Sequence, residues 1–413
     1  MKNNYYNIAL IMGASIIAGA INYAYYPLML QYMTLEDFGV FGSIMGVLNL
    51  IGVISTGIIL FLNKEISKNI WDTGRVKYIF VASLKILSVV GLIGTLIFWM
   101  FTPLLARYFD VSEYGYFILI GTTIFLSFVS TVVQSSLRGL KQFNYLSFSQ
   151  IIGPVMKLMI GIGLVYLGYN IYGAIYGVVL SGLISLGISI LYLKFIFQGT
   201  SSVGKTSELL KDFRNNKKEI IKFFLISFFF ALFLNIDVIF VQNIFDATSA
   251  GAYVGIAVLG KFLIFLLLSI ETVYYGQILE HSKATVPRHL ILNPLVIMTL
   301  VVVSALVFNV FFGNFILHIL KPELTEYFDI YLWSLMYYGL LAYMSFFSKI
   351  LVGWNSNYAN KLLAACSILL VIVVYTLGTS SLENFIYSFV GVGCITTILL
   401  AVLFYFELTH VKK

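Results

Sequence analysis

Residues 5–30 read YYNIALIMGASIIAGAINYAYYPLML, a run without a single charged side chain. Coiled as an α-helix at about 1.5 Å per residue, it is long enough to cross a hydrocarbon core about 30 Å thick. A short polar gap holding Glu36 and Asp37 follows, and then a second apolar run, Phe38–Leu62. The alternation continues through Ile79–Thr102, Tyr116–Leu137, Ser147–Leu167, Tyr172–Leu193, Ile220–Ile244, Ala252–Leu279, Leu290–Leu320, Tyr331–Gly353, Leu362–Leu377 and Asn384–Phe406. Hydrophobic residues make up 60% of the chain and charged ones 10%, with a mean hydropathy of +0.96. Soluble domains carry about a quarter charged residues. The pattern predicts an all-α polytopic membrane protein of twelve transmembrane helices.

The longest polar gap joins the sixth and seventh runs and is rich in Gly, Ser and Lys. It predicts an N-terminal six-helix lobe over 1–195, a basic cytoplasmic linker over 196–219 and a C-terminal six-helix lobe over 220–413. Nineteen of the 25 basic residues fall on the side of the two termini, against Arg107 and Lys321 on the other; the remaining four are lysines within spans. Basic loops stay cytoplasmic, so both termini are expected inside, in a multi-pass protein of a bacterial plasma membrane. The net charge of +7 then follows from topology and anionic lipid, and gives no support to nucleic-acid binding. Ala18-Gly19-Ala20 imitates a signal-peptidase site, but the apolar run continues past it and reads as an uncleaved helix. Cys366 and Cys394 lie within spans and read as small packing residues.

The two halves repeat. Gln31 and Gly39-Val40-Phe41 correspond to Gln242 and Gly251-Ala252-Tyr253. Leu137-Arg138-Gly139-Leu140-Lys141-Gln142 corresponds to Leu351-Val352-Gly353-Trp354-Asn355-Ser356, and Leu167-Gly168 to Leu377-Gly378. The offsets run from 210 to 214 residues. Six spans return the chain to its starting side, so the halves form a parallel repeat, an arrangement used by transporters that work by alternating access.

Ionisable groups are costly within a membrane and commonly functional. The spans hold Lys85, Lys157, Lys261, Lys349, Asp237 and Glu271. Lys85, Lys349 and Glu271 lie near the cytoplasmic ends of their helices, where lysines can snorkel. Lys157 and Lys261 lie deeper, and Asp237 matches the depth of Lys261, so an Asp237–Lys261 ion pair is geometrically open. Lys261 corresponds to Asn49 in the repeat, and Asn22 to Asn235; these amides are candidates for a substrate cavity beside the lysines. Glu271 joins Asp237 as a candidate ion-coupling residue. Tyr23, Tyr25 and Tyr26 read as an interfacial aromatic belt. Asp72-Thr73-Gly74-Arg75-Val76-Lys77 partly imitates a loop signature of major facilitator transporters, lacks its upstream Gly, and reads as a basic turn.

The stretch Tyr32-Met33-Thr34-Leu35-Glu36-Asp37-Phe38-Gly39-Val40-Phe41 resembles a pattern of polysaccharide and oligosaccharide (Wzx-like) flippases. These belong to the multidrug/oligosaccharidyl-lipid/polysaccharide exporter superfamily. Asn235-Ile236-Asp237-Val238 with Ala250-Gly251-Ala252-Tyr253 is similar, as is Leu137–Phe143 running into Ser149-Gln150. The resemblance spans nearly the whole chain. It implies two six-helix lobes around a V-shaped cavity, and translocation of a polyprenyl-pyrophosphate-linked glycan to the outer leaflet. It also implies work alongside a polysaccharide polymerase and other assembly proteins. Some relatives use a Na+ or H+ gradient through an acidic residue of the seventh span, which Asp237 matches; the eleventh span here has no Asp or Glu.

The four intramembrane lysines against two carboxylates suit an anionic substrate better than a cationic drug. An exporter of drugs or cations from the same superfamily is the alternative. A membrane polymerase is a third reading, disfavoured by short outer connections. No Walker loop or metal-ligand spacing is present, and His281, His289, His318 and His410 are scattered. The expectation is a non-enzymatic transporter with no bound cofactor.

Overall fold

The computed structural model describes residues 2–194, 213–281, 283, 285–356 and 358–410. Most of the expected linker, 196–212, lies outside them. Among the described residues every element is helical. Lipid offers no hydrogen bonds, so a spanning backbone must satisfy its own N–H and C=O groups, which a helix does within one segment.

The helices are α1 (Lys2–Tyr32), α2 (Leu35–Gly52), α3 (Thr56–Lys68), α4 (Thr73–Tyr108), α5 (Tyr114–Gly139), α6 (Phe143–Leu164) and α7 (Asn170–Tyr192). After the linker come α8 (Lys217–Ile244), α9 (Ala247–Leu279), α10 (Arg288–Leu320), α11 (Phe328–Gly353), α12 (Tyr358–Leu377) and α13 (Leu382–His410). Among the described residues ten helical stretches are long and apolar enough to cross a membrane, and one of them, Phe143–Tyr192, contains both α6 and α7. Those two helices pack on each other. The expected second span is broken into α2 and α3 by a 3-10 turn at Val53–Ser55. Ser55 Oγ donates to the Gly52 carbonyl and Thr56 Oγ1 to that of Val53, each at 2.8 Å. These hydroxyls satisfy carbonyls that the break would leave open.

The chain forms two compact units. One holds Met1–Met33 and Ile51–Phe224; the other holds Thr34–Leu50 and Leu225–Lys413. The division therefore departs from the expected lobes: most of α2 belongs with the second unit. The first unit is built on α6 against α7, α4 against α5, and α1 against α6. The second is built on α9 against α11, with α13 on α11 and α12 on α13.

The sequence repeat is a repeat of backbone geometry. Thr34 Oγ1 accepts the Asp37 N–H (3.1 Å) at the start of α2, and Asp246 Oδ2 accepts the Ser249 N–H (3.0 Å) at the start of α9. That bond holds the Asp246 carboxyl below the usual carboxylate range. After α5, the N–H of Gln142 returns to Leu137 O; after α11, the N–H of Ser356 returns to Leu351 O, both at 2.9 Å. Lys141 (φ 56°) and Asn355 (φ 67°) make the same left-handed step. The third match fails: Gly168 has φ 91° whereas Gly378 is not left-handed. Gly168 joins α6 to α7 in a tight kink within Val165–Tyr169, where Gly168 leaves helical geometry and Asn170 also takes a positive φ of 42°. Residues 378–381 instead provide a separate connection between α12 and α13.

Gly39 and Gly251, equivalent in the repeat, meet each other: a Cβ on Gly39 would lie 2.9 Å from Gly251 Cα. Small residues let helix backbones approach this closely in membranes. A Cβ on Gly251 would run into the Leu35 carbonyl oxygen, whereas Gly276, on the same helix, has open space around it. Gly251→Ala is expected to destabilise the protein by about 1–3 kcal/mol. Gly276→Ala should be neutral or stabilising, by up to about 1 kcal/mol. Thermal unfolding of the two purified variants checks this, and equal melting temperatures would contradict the packing described.

Candidate functional site

Five of the six intramembrane charges gather in three places. In the second unit, Asp237 on α8 is fully buried. Its Oδ2 accepts hydrogen bonds from Tyr338 of α11 (2.5 Å) and Tyr253 of α9 (3.3 Å), while Oδ1 has no partner. Tyr337 donates to the Phe233 carbonyl and so pins α11 to α8. Two residues along α8 is about 200° around the helix, so Asn235 points elsewhere. Its Oδ1 accepts from Lys261 Nζ (3.4 Å) and from Asn49 Nδ2 (3.2 Å). Its own Nδ2 is tied back to Ala231 O at 2.9 Å.

The expected Asp237–Lys261 ion pair is thus not formed: Lys261 takes the Asn235 amide, and two tyrosines hold the carboxylate. The expected equivalence of Lys261 and Asn49 reappears as convergence, since both reach the same Asn235 oxygen. Asn22, paired with Asn235 by sequence, lies in the other unit.

The second place joins two residues that the sequence leaves separate. Lys349 of α11 and Glu271 of α9 form an ion pair at 2.7 Å. Glu271 is buried, and the Lys349 ammonium also lies 5.7 Å from the Phe230 ring centre. Glu271 is therefore not a lone interfacial carboxylate but the counterion of Lys349, and its Oε2 is left without a partner. Removing one member strands the other; replacing both does not. Lys349→Met alone should cost no more than about 3 kcal/mol, reduced because Lys349 is half-exposed. Adding Glu271→Leu should recover most of it. A double-mutant cycle on thermal stability reads the coupling, and additive losses would mean that the pair contributes nothing.

The third place is a polar pocket in the first unit, about 490 Å³ in volume. Its walls carry Asn22 of α1, Gln134 of α5, Gln150 and Lys157 of α6, and Ser181 and Ser185 of α7. Lys157 Nζ lies 4.5 Å from the Tyr25 ring centre and 5.5 Å from that of Tyr26. These are cation–π distances. Among the described residues no carboxylate forms an ion pair with Lys157. Tyr25 is not part of an interfacial belt: it is fully buried and donates to Ala174 O of α7 at 2.7 Å. Gly161 makes room for the ring, since a Cβ there would lie 2.7 Å from Tyr25 Cε2. Across the α6–α7 contact, Ser149 Oγ bonds Ser189 Oγ at 2.6 Å and approaches Ser185 Oγ at 3.3 Å.

Lys85 joins none of these places. It is exposed on α4, on the face that also presents Val89 and Leu92. Asp72 is the N-cap of α4, accepting the Arg75 N–H at 2.8 Å, which accounts for the facilitator-like turn. Cys366 and Cys394 are free, and among the described residues no cluster of His, Cys, Asp and Glu could hold a metal ion.

Apart from Asn22, the neutral wall of the pocket was legible in the sequence and is absent from the candidates above. Ser15, Asn22; Ser130, Gln134; Gln150, Lys157; and Ser181, Ser185 recur at spacings of four or seven, one face of a helix, inside apolar spans. Tyr253 and Tyr338 carry no such signal, because an intramembrane tyrosine reads equally as packing.

The family described as polysaccharide biosynthesis protein matches residues 5–276. No curated protein matches the sequence. Solved structures with the same fold include an inward-facing MATE-family multidrug resistance transporter of the MOP superfamily. The two share 15% identity over 96% of this chain and 99% of that one, with a TM-score of 0.74. A MOP-superfamily transporter from Pyrococcus furiosus, described by the reversed polarity of its binding pocket, aligns at 15% identity. That alignment covers 98% of this chain and 96% of that one, with a TM-score of 0.66. The lipid II flippase MurJ, in an inward closed conformation, also has a TM-score of 0.66. It shares 15% identity over 98% of this chain and 87% of that one.

Proposed function

The chain belongs to the polysaccharide biosynthesis protein family, and on that premise we propose that it is a flippase for a lipid-linked glycan. In this reading it carries a polyprenyl-pyrophosphate-linked oligosaccharide from the inner to the outer leaflet of the cell membrane by alternating access. Both termini are cytoplasmic, and a polysaccharide polymerase receives the product. The observation that carries the reading furthest is Lys157, an intramembrane ammonium with no carboxylate partner among the described residues, set among hydroxyl and amide groups. An anionic glycan leaving water needs its hydration replaced, and lysine with neutral hydrogen-bonding groups can do that. Lys261 and the Asn235 and Asn49 amides supply a second such group in the other unit.

Asp237 is the residue proposed to couple transport to a Na+ or H+ gradient. Its unpartnered Oδ1 is a costly feature for a buried carboxylate, and a bound proton or cation removes that cost. Export of cationic drugs is the second reading. It is disfavoured because the polar pocket offers such a compound a positive charge and no carboxylate.

The experiment is depletion of the protein from cells, followed by extraction of lipid-linked glycans and assignment of the leaflet that holds them. Complete repeat units should accumulate on the cytoplasmic side, and re-expression of the wild type should clear them. Lys261→Ala should fail to clear them at normal protein abundance. Asp237→Asn should change how clearance responds to collapse of the ion gradients. Normal intermediates together with altered sensitivity to cationic toxic compounds would overturn the flippase reading in favour of drug export.

A further inference from the structure

We propose that the pocket of the first unit receives one acidic sugar of the glycan, its carboxylate on Lys157 and its hydroxyls on the surrounding amides and serines. The inference rests on the flippase reading and narrows its substrate to a glycan that contains a monoanionic sugar.

Charge decides against the pyrophosphate. The pocket walls contain one ammonium, no arginine and no acidic residue. Protein sites for phosphates draw on arginine forks or on the free N–H groups of a helix N-terminus. No wall residue lies in the first turn of its helix, so those backbone N–H groups are already spent on helical bonds. A diphosphate here would leave surplus negative charge within the membrane. A single carboxylate is matched by a single lysine.

Hydrogen-bonding chemistry decides for a sugar. Asn22, Gln134 and Gln150 each offer both donors and an acceptor, Ser130 adds a hydroxyl, and Ser181 and Ser185, whose protons go to the Val178 and Ser149 carbonyls, add acceptors. Neighbouring ring hydroxyls also donate and accept, so a wall of amides and serines satisfies them where a polyprenyl chain would find nothing to contact. The volume of about 490 Å³ falls within the usual range for small-ligand pockets. The Tyr25 and Tyr26 rings hold the ammonium through its charge alone. A ring face, unlike a carboxylate, does not neutralise the lysine and leaves it able to pair with an incoming anion. Tyr25 is itself locked by its bond to Ala174, so the cation is presented from a fixed position.

The test uses the full chain in lipid nanodiscs, measures binding of methyl glucuronide and methyl glucoside by saturation-transfer NMR, and reads binding of inorganic pyrophosphate from its displacement of the glucuronide signal. Methyl glucuronide should bind at least tenfold more tightly than methyl glucoside. Lys157→Gln should cut glucuronide affinity at least tenfold and leave the glucoside unchanged. Gln134→Leu, which keeps the lysine, should weaken both sugars and serves if Lys157→Gln does not fold. Tighter binding of pyrophosphate than of glucuronide would overturn the proposal and make the pocket a headgroup site. Equal binding of the two sugars, or binding of neither, would also overturn it. Such a failure is separable from failure of the flippase reading, because cytoplasmic accumulation of the lipid-linked glycan on depletion is scored without any sugar probe.

Discussion

Within a membrane there is no water to satisfy a polar group, and the interior of this protein is organised around that constraint. Helices settle the backbone account, and the polar side chains settle theirs across helix contacts. Tyr25 of α1 reaches a carbonyl of α7, Ser43 of α2 one of α8, and Tyr331 of α11 the side chain of Asn309 on α10. Each bond is long-range in sequence and short in space. Since apolar side chains gain little by leaving lipid for one another, such bonds and close small-residue packing set which helices associate.

The intramembrane lysines show how many solutions the constraint allows. Lys157 rests against two aromatic rings, Lys261 donates to an amide, Lys349 pairs with a carboxylate, and Lys85 keeps an exposed position on α4. The chemical consequences differ. A lysine neutralised by Glu271 has little attraction left for an anion. A lysine held by ring faces or an amide has no carboxylate at ion-pair distance among the described residues. The four residues look alike along the chain, and only their surroundings tell them apart.

Much of the fold was legible beforehand. Spanning helices announce themselves because an uncharged apolar run of sufficient length has few other stable destinations. The repeat was legible because turn geometry demands particular residues. The loops after α5 and α11 share a glycine at the helix end and a left-handed residue two places on. Thr34 and Asp246 cap their helices in register because both side chains can accept an N–H three residues ahead. The break after Gly52 and the transfer of residues 34–50 to the second unit were not legible. A run of apolar residues carries no mark of which neighbours it will pack against.

The candidate site divides in the same way. Sequence by itself determined that charged and amide groups sit inside the spans, that cations outnumber acids, and that a polar face recurs at helical spacing on the helices around Lys157. Tertiary structure alone decided the partners. Asp237 takes Tyr338 and Tyr253 rather than Lys261, Glu271 finds Lys349, and Tyr25 turns inward beneath the Lys157 ammonium. The reason is geometric. Composition and periodicity specify the depth and face of a side chain on its own helix. A partner depends also on the rotation and translation of the neighbouring helix, which the packing of the whole unit determines.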